Sequence, residues 1–456
     1  MEEISRSEPH EPHPARLTPL RRALAWLKAR HPDLAVDLLQ KLADAAPGDP
    51  QIGYALAVTR LRNGQASEAL KCFDSLLKTN PGHTGALQGR GLCLHSLGDR
   101  PAALDAFRQA VSADPLSWRA WQSIADITPY EDDRIHALEG AADALRVICQ
   151  TEGSGRNALI AAADALLNAR KPGRAARLLE SCAPEGGNDP ALIRLLARSL
   201  YHQGRFADAF ATATRLLNAP PAAAAQTQAA FHPRHATNVL IEIQSLLSAA
   251  GVTSFLAAGT LLGFHRSGGP LPHDRDIDIG VLRDPQGGPD IAGILRAHPG
   301  ILIPAISRPG DRYFGLMHRG VAIDIFLHDE KDHHLLCGVS ALPGDIQWRL
   351  RPFTLKTASY GGRDWTIPSE PELYLSQSYG PHWQTPDPGF ASAISSPALF
   401  NTDPFARSYY AIVRACRARA AGDPAKASAL LRQSPIPLPW PETGADLPPA
   451  DTRPSD

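Results

Sequence analysis

From residue 18 to about residue 217 the chain alternates polar and apolar positions at helical spacing, and it does so periodically. Ala35, Ala69 and Ala103 are 34 residues apart, as are Leu39, Phe73 and Phe107; Pro47, Pro81 and Pro115 keep the same interval, and so do Gly64 and Gly98. Such spacing predicts paired amphipathic helices. Small alanines let two helices approach, a Leu or Phe knob fills the groove between them, and proline ends the second helix. Asp132 to Leu145 reads as a further helix, and Gly173-Arg-Ala-Ala-Arg-Leu-Leu179 and Gly204-Arg-Phe-Ala-Asp-Ala-Phe210 as the turn and second helix of less regular pairs. A Pro/Ala segment beginning at Asn218 predicts a linker over 218–234.

Beyond it the pattern changes. Val239, Leu240, Ile243, Leu246 and Leu247 mark one more helix, closed by Gly251. Short strand-like runs follow at 253–257, 276–282, 301–306, 312–318, 321–327 and 333–339, with helices near 260–266 and 289–297. Gly361-Gly362 predicts a hairpin turn. This is an α+β pattern over 235–400 without regular βαβ alternation. A helical pair around Gly422 is expected over 401–434. The ends, 1–17 and the Pro-rich 435–456, are expected to be disordered. The 34-residue repeat is the tetratricopeptide pattern, so the fold class expected is multidomain: an all-α TPR-like solenoid over 18–217, then an α+β domain. The repeats imply docking of a protein partner or an acceptor.

Composition narrows the classes. In 456 residues, Lys+Arg 46 against Asp+Glu 47 leave no bulk field favouring nucleic acid or anionic lipid. Six scattered cysteines with no CxxC pair read as reduced residues of a cytoplasmic protein. The polar, acidic start is unlike a signal peptide, and no run of 18 apolar residues predicts a transmembrane segment.

The chemistry concentrates in Phe255-Leu-Ala-Ala-Gly-Thr-Leu-Leu-Gly-Phe-His-Arg266 and Pro272-His-Asp-Arg-Asp-Ile-Asp-Ile-Gly280. On a strand, Asp274, Asp276 and Asp278 share one face while Ile277 and Ile279 take the other. Carboxylates crowded on one face repel one another unless a cation sits between them, and hard oxygen ligands suit Mg²⁺ or Mn²⁺. Such an ion would hold substrate phosphates, which points to phosphoryl transfer. The bland alternative is an exposed polar strand face; the preceding Gly-Thr turn and the later Asp324 weigh against it. Tyr379 and Trp383 read as core or lid packing, and His333-His334 as surface.

Residues 236–390 resemble the LicD family and its animal relatives fukutin and fukutin-related protein, within the nucleotidyltransferase superfamily typified by DNA polymerase beta. The resemblance rests on Gly259-Thr260-Leu261-Leu262-Gly263, Arg266, Pro272 through Asp278, Val321-Ala-Ile-Asp-Ile-Phe326, and Ile367-Pro368 with Tyr374-Leu375 and Tyr379-Gly380-x-x-Trp383-x-x-Pro386. It implies a nucleotidyltransferase fold with Asp276 and Asp278 as metal ligands. Asp324 either completes the carboxylate set or deprotonates the attacking hydroxyl. Gly259 and Thr260 would offer amides to phosphate at a helix start, with Gly263 close by and Arg266 as a phosphate contact. His273 stands where many members have Trp, and Asp274 lies one step before the DxD; both are candidate substrate contacts. The implied reaction moves a phospho-alcohol, phosphocholine or a polyol phosphate, from a CDP-alcohol donor to a sugar hydroxyl of a surface polysaccharide. Two other readings stand beside it: a repeat scaffold carrying an inactive nucleotidyltransferase-like module, and a glycosyltransferase using DxD to hold a nucleotide-sugar.

Overall fold

The structure, a computed structural model, describes residues 19–28, 31–151, 155–182, 188–219, 231–272 and 274–438. The expected tail at 1–17, the expected tail at 435–456 from residue 439 on, most of the expected linker, and His273 lie outside the described residues. Compactness divides the chain into two units, Met1–Gly153 and Ser154–Asp456.

The first unit holds helices in consecutive pairs: α1 (Pro19–Lys28) with α2 (Pro32–Ala45), α3 (Pro50–Arg62) with α4 (Ala66–Thr79), α5 (Thr84–Ser96) with α6 (Arg100–Ala113), and α7 (Trp118–Ile127) with α8 (Glu131–Thr151). The periodic residues explain the pairing. Ala35, Ala69 and Ala103 are fully buried, as are the knobs Leu39, Phe73 and Phe107. Phe73 and Phe107 enter α5 where it has no side chain: a Cβ on Gly89 would stand 2.2 Å from the Phe73 ring, and one on Gly91 2.4 Å from Phe107. Pro47, Pro81 and Pro115 follow the ends of α2, α4 and α6. Phe73→Ala should therefore lower stability by about 3–5 kcal/mol, read as an earlier urea midpoint. An unchanged midpoint would mean the knob does not carry the packing.

The second unit begins with two more helical pairs, α9 (Arg156–Asn168) with α10 (Pro172–Cys182) and α11 (Pro190–Tyr201) with α12 (Phe206–Thr214). The sequence grouped these helices with the solenoid at 18–217; in the structure they share a compact unit with the sheet. The α9–α10 turn is tied to the loop before β4 (Tyr313–His318): Arg170 donates to Asp311 at 2.7 Å, and Arg308 donates to the Asn168 carbonyl at 2.8 Å.

A mixed seven-stranded sheet follows α13 (Pro233–Ala249). Its strands are β1 (Ser254–Leu256), β2 (Asp276–Leu282), β3 (Ile301–Leu302), β4, β5 (Val321–Lys331), β6 (His334–Gly338) and β7 (Gln347–Leu350), in the order β1-β2-β5-β4-β3, with β6 on the far end of β5 and β7 beyond β6. Only β2 and β5 run parallel; the chain between them passes through α15 (Ile291–Ala297), β3 and β4. The run expected at 301–306 is a strand only at Ile301–Leu302, because Pro304 has no N–H for a ladder. Ile277 and Ile279 of β2 and Ile323 and Ile325 of β5 are fully buried, in one core with Val239, Leu240, Ile243 and Leu247 of α13.

The helix after β1 is α14 (Ala258–Ser267). The glycine pair makes the hairpin of β8 (Leu355–Tyr360) and β9 (Arg363–Pro368). Then come α16 (Pro371–Tyr379), α17 (Ser392–Ser395) and the terminal pair α18 (Pro404–Ala420) and α19 (Pro424–Arg432). Instead of standing apart, α18 and α19 share a core with α11 and α12 through Ala197, Phe210, Ala213, Ala411, Ile412 and Ala415. Among the described residues, five cysteines are free thiols, and no helix is long and apolar enough to cross a membrane.

Candidate active site

Parallel pairing of β2 with β5 puts Asp278 directly opposite Asp324, with Asp276 two residues earlier on the same face of β2. Two strands far apart in sequence thus present three carboxylates together.

The turn into α14 grips the middle one. The Asp278 backbone N–H donates to Thr260 Oγ1 at 2.7 Å, and the Gly259 N–H donates to Asp278 Oδ2 at 2.8 Å. A Cβ on Gly259 would stand 2.9 Å from that oxygen, so only glycine lets the helix start come so close. Ala258, at φ +39°, occupies left-handed backbone space that costs a non-glycine residue about 1–3 kcal/mol. Its N–H donates to the Tyr374 hydroxyl of α16 at 3.2 Å. Gly259 and Thr260 were expected to face a phosphate; the structure engages the Gly259 amide and the Thr260 hydroxyl with Asp278 itself.

Asp324 is held from the other side. The Tyr313 hydroxyl donates to Asp324 Oδ1 at 2.8 Å. Tyr313 can lie back along β4 because Gly315 stands opposite Asp324: a Cβ there would be 2.6 Å from the tyrosine oxygen. Each of these two acids therefore has one oxygen fixed by the protein, and the other takes no hydrogen bond among the described residues.

Every member of the set is harder to ionise than an ordinary aspartate. Burial raises Asp278 well above the usual range, and the charges of Asp276, Asp324 and Asp274 raise it further against the Gly259 hydrogen bond. Burial, then Asp276, lifts Asp324 to about 6 although Tyr313 opposes the shift. Asp276 is raised by burial and eased by Arg414 and Arg275. Acids that raise one another in this way suit a divalent cation. Among the described residues, no three His, Cys, Asp or Glu side chains gather tightly enough to hold an ion alone. Mg²⁺ or Mn²⁺ at Asp276 and Asp278 would therefore need water and substrate phosphate oxygens to complete its shell.

The pH consequence has opposite signs in the two states. Without an ion, the raised Asp324 favours folding while protonated, a contribution complete below about pH 4 and lost as pH rises through 6. With an ion on Asp276 and Asp278, those raised carboxylates must be ionised, so affinity rises with pH. The melting midpoint should thus fall from pH 5 to 7 in chelator and rise over that span in excess Mn²⁺. Parallel curves would contradict the mutual placement of these acids.

The remaining sequence candidates divide. Asp274 is half-buried; its Oδ2 accepts the Leu271 N–H at 3.0 Å and its charge acts on Asp278. Gly263 allows close packing, since a Cβ there would lie 2.8 Å from the Gly269 carbonyl. Arg266 sits in the last turn of α14, roughly 10 Å along the helix from Gly259 by the rise per residue. Its guanidinium donates to the Trp383 carbonyl and so ties the Tyr379–Pro386 segment to α14.

Sequence reasoning gave no role to Tyr313 or Arg414, and Tyr374 entered only as part of the closing signature. Tyr313 and Tyr374 hold the site; the one signal for Tyr313 was Gly315 two residues after it. Arg414, from α18, lies near enough to ease both Asp276 and Asp324, and nothing local in the sequence ties it to them. Tyr379 was weighed as packing; its hydroxyl lies 3.7 Å from the point a Gly259 Cβ would occupy, beside Asp278.

Fold and site together define a class: a TPR-like helical solenoid followed by a mixed α/β region that carries an acidic site at a strand–helix turn. Two family matches give it particulars. Residues 54–126 match the tetratricopeptide repeat, and residues 251–288 match the LicD/FKTN/FKRP nucleotidyltransferase domain, a segment containing Gly259, Thr260, Asp276 and Asp278. Among curated relatives, the chain is similar to the ribitol-5-phosphate transferase FKTN of Mus musculus, 29% identical over 144 residues, covering 30% of each chain. The Homo sapiens FKTN is 26% identical over 148 residues, covering 31% of each. Uncharacterized protein RT0683 of Rickettsia typhi is 25% identical over 150 residues, 31% of this chain and 44% of that one. The chain thus spans about a third of the length of the FKTN relatives it matches. Solved structures with a likeness include a tetratricopeptide repeat protein from Parabacteroides merdae, TM-score 0.31 and 17% identical, covering 45% of this chain and 80% of that one. Another is Pseudomonas aeruginosa PilF, TM-score 0.32 and 16% identical, covering 44% and 89%. The repeat assignment rests on the 34-residue period and the family match.

Proposed function

We propose that this protein is a cytoplasmic, metal-dependent phosphotransferase. It moves a phospho-alcohol, phosphocholine or a polyol phosphate, from a CDP-alcohol to a sugar hydroxyl of a cell-surface glycan, while the helical repeats dock a protein partner or the acceptor. One observation carries the reading: Asp276, Asp278 and Asp324 meet across the parallel β2–β5 pair beside the Gly259 turn, in a chain whose residues 251–288 match the LicD/FKTN/FKRP domain. The FKTN relatives, named as ribitol-5-phosphate transferases, favour a polyol phosphate as the group moved.

The chemistry needs placement and charge more than covalent help. Asp276 and Asp278 would hold Mg²⁺ or Mn²⁺, which when bound supplies positive charge to the donor diphosphate. The acceptor oxygen attacks the phosphorus bearing the alcohol. As the new P–O bond forms, the P–O bond to CMP breaks and its electron pair leaves on the CMP oxygen. The acceptor proton passes to Asp324, whose second oxygen is not engaged by Tyr313. Arg414 adds positive charge near Asp276 and Asp324.

The test incubates the full chain with Mn²⁺, a glycan extract, and CDP-choline, CDP-glycerol or CDP-ribitol, and measures CMP release. Release from at least one donor, dependent on the extract, is expected. Turnover of UDP-sugars with no CMP from any CDP-alcohol would instead mark a glycosyltransferase. Failure to bind any of these nucleotides would mark an inactive module on a repeat scaffold.

A further inference from the structure

We infer that Tyr379 is a substrate-contacting residue whose O–H donates to a non-bridging oxygen of the phosphate being transferred; this rests on the phosphotransfer reading above. Position is the first argument. The Tyr379 hydroxyl and Asp278 Oδ2 lie 3.7 Å and 2.9 Å from one point, the place a Gly259 Cβ would occupy, so the phenol stands at the edge of the acidic set. A phosphate drawn to a cation on Asp278 would come within its reach.

The second argument is what the hydroxyl does not do. The two other tyrosines at this turn are both engaged: Tyr313 donates to Asp324, and Tyr374 accepts from the Ala258 N–H. Tyr379 makes no hydrogen bond among the described residues, although its hydroxyl stands beside Asp278 and the charges of Asp274 and Asp276 also act on it. A phenol that packs for stability beside carboxylates would be expected to donate to one of them; this one keeps its donor for something else.

Its third property is rigidity. The ring packs on Phe390 with centroids 4.8 Å apart, and Gly380, at φ +93°, ends α16 directly after it. Five residues earlier the same helix is fastened to the catalytic turn by Tyr374. A tyrosine hydroxyl keeps its proton at neutral pH, so it remains an O–H donor there. A donor fixed before substrate arrives needs no reorganisation as charge develops on the phosphoryl oxygens.

The test is Tyr379→Phe, which keeps the ring and its packing on Phe390 and removes only the hydroxyl. Its melting midpoint should match the wild type. With a donor that supports CMP release, kcat should fall about 10²-fold, the scale for losing one transition-state hydrogen-bond donor, with the acceptor KM unchanged. Tyr409→Phe, in the aromatic stack on Tyr201, serves as the control and should leave the rate unaltered. Wild-type kinetics in Tyr379→Phe would overturn the inference. If the wild type releases CMP from no donor, the phosphotransfer reading fails separately, and calorimetric titration of CDP with Mn²⁺ becomes decisive. Weaker CDP binding by Tyr379→Phe then supports the contact; equal binding, or none by the wild type, overturns it.

Discussion

Asp278→Asn is expected to lower CMP release by about 10²–10⁴-fold, and Asp276→Asn by a similar factor. At about 1.4 kcal/mol per tenfold, that corresponds to losing several kcal/mol of charge stabilisation at the diphosphate. Asparagine fits the space, and its side-chain oxygen can still accept the Gly259 N–H, so the turn at α14 survives. What disappears is the negative charge that recruits the cation. Stability should move the other way. Asp278 is costly to ionise beside Asp276, Asp324 and Asp274, so neutral asparagine relieves repulsion. At pH 7 without divalent ions the variant should melt no earlier than the wild type, while the wild type alone gains stability from Mn²⁺. A variant that melts earlier and loses activity in proportion would be a folding defect and would not support a cation site.

Asp324→Asn is expected to cost as much in rate, about 10²–10⁴-fold, with a different signature. Asp324 is assigned the acceptor proton, so the variant should still bind Mn²⁺ and the CDP-alcohol together. Its loss should fall on kcat and leave donor binding nearly intact, whereas Asp278→Asn should lose both. Tyr313 can still donate to the asparagine oxygen, so the geometry at β4 is kept. If Asp324→Asn abolished ion binding instead, Asp324 would be a ligand and the base would have to be sought elsewhere.

Much of the fold could be read from the chain because its physics is local. A 34-residue interval of Ala, Phe and Pro is enough to predict helix pairs, since each residue acts on the neighbouring helix. The alternation in Asp276-Ile-Asp-Ile likewise predicts which side chains of β2 share the acidic face and which face the core. The site was less legible in proportion to sequence distance. That Asp278 lies opposite Asp324 depends on β2 and β5 pairing in parallel across an intervening helix and two strands, and no spacing in the sequence fixes that register. Gly259 and Thr260 were found from the sequence, but that the Gly259 amide and the Thr260 hydroxyl engage Asp278 depends on β2 folding back beside the helix start. For Arg266, its donation to the Trp383 carbonyl from the last turn of α14 was not legible, because 117 residues separate the two. Arg414 arrives from a helix nearly 140 residues beyond the DxD, packed against α11 and α12, which no linear pattern joins to the sheet.

The central claim is that these acids form an incomplete cage that a nucleotide diphosphate completes. Calorimetric titration of Mn²⁺ into the full chain, with and without a CDP-alcohol, tests it most directly. The prediction is weak binding of the ion alone, at least tenfold tighter binding with the nucleotide, and loss of both in Asp278→Asn. Binding of Mn²⁺ that is indifferent to the nucleotide, or that survives Asp278→Asn unchanged, would contradict it.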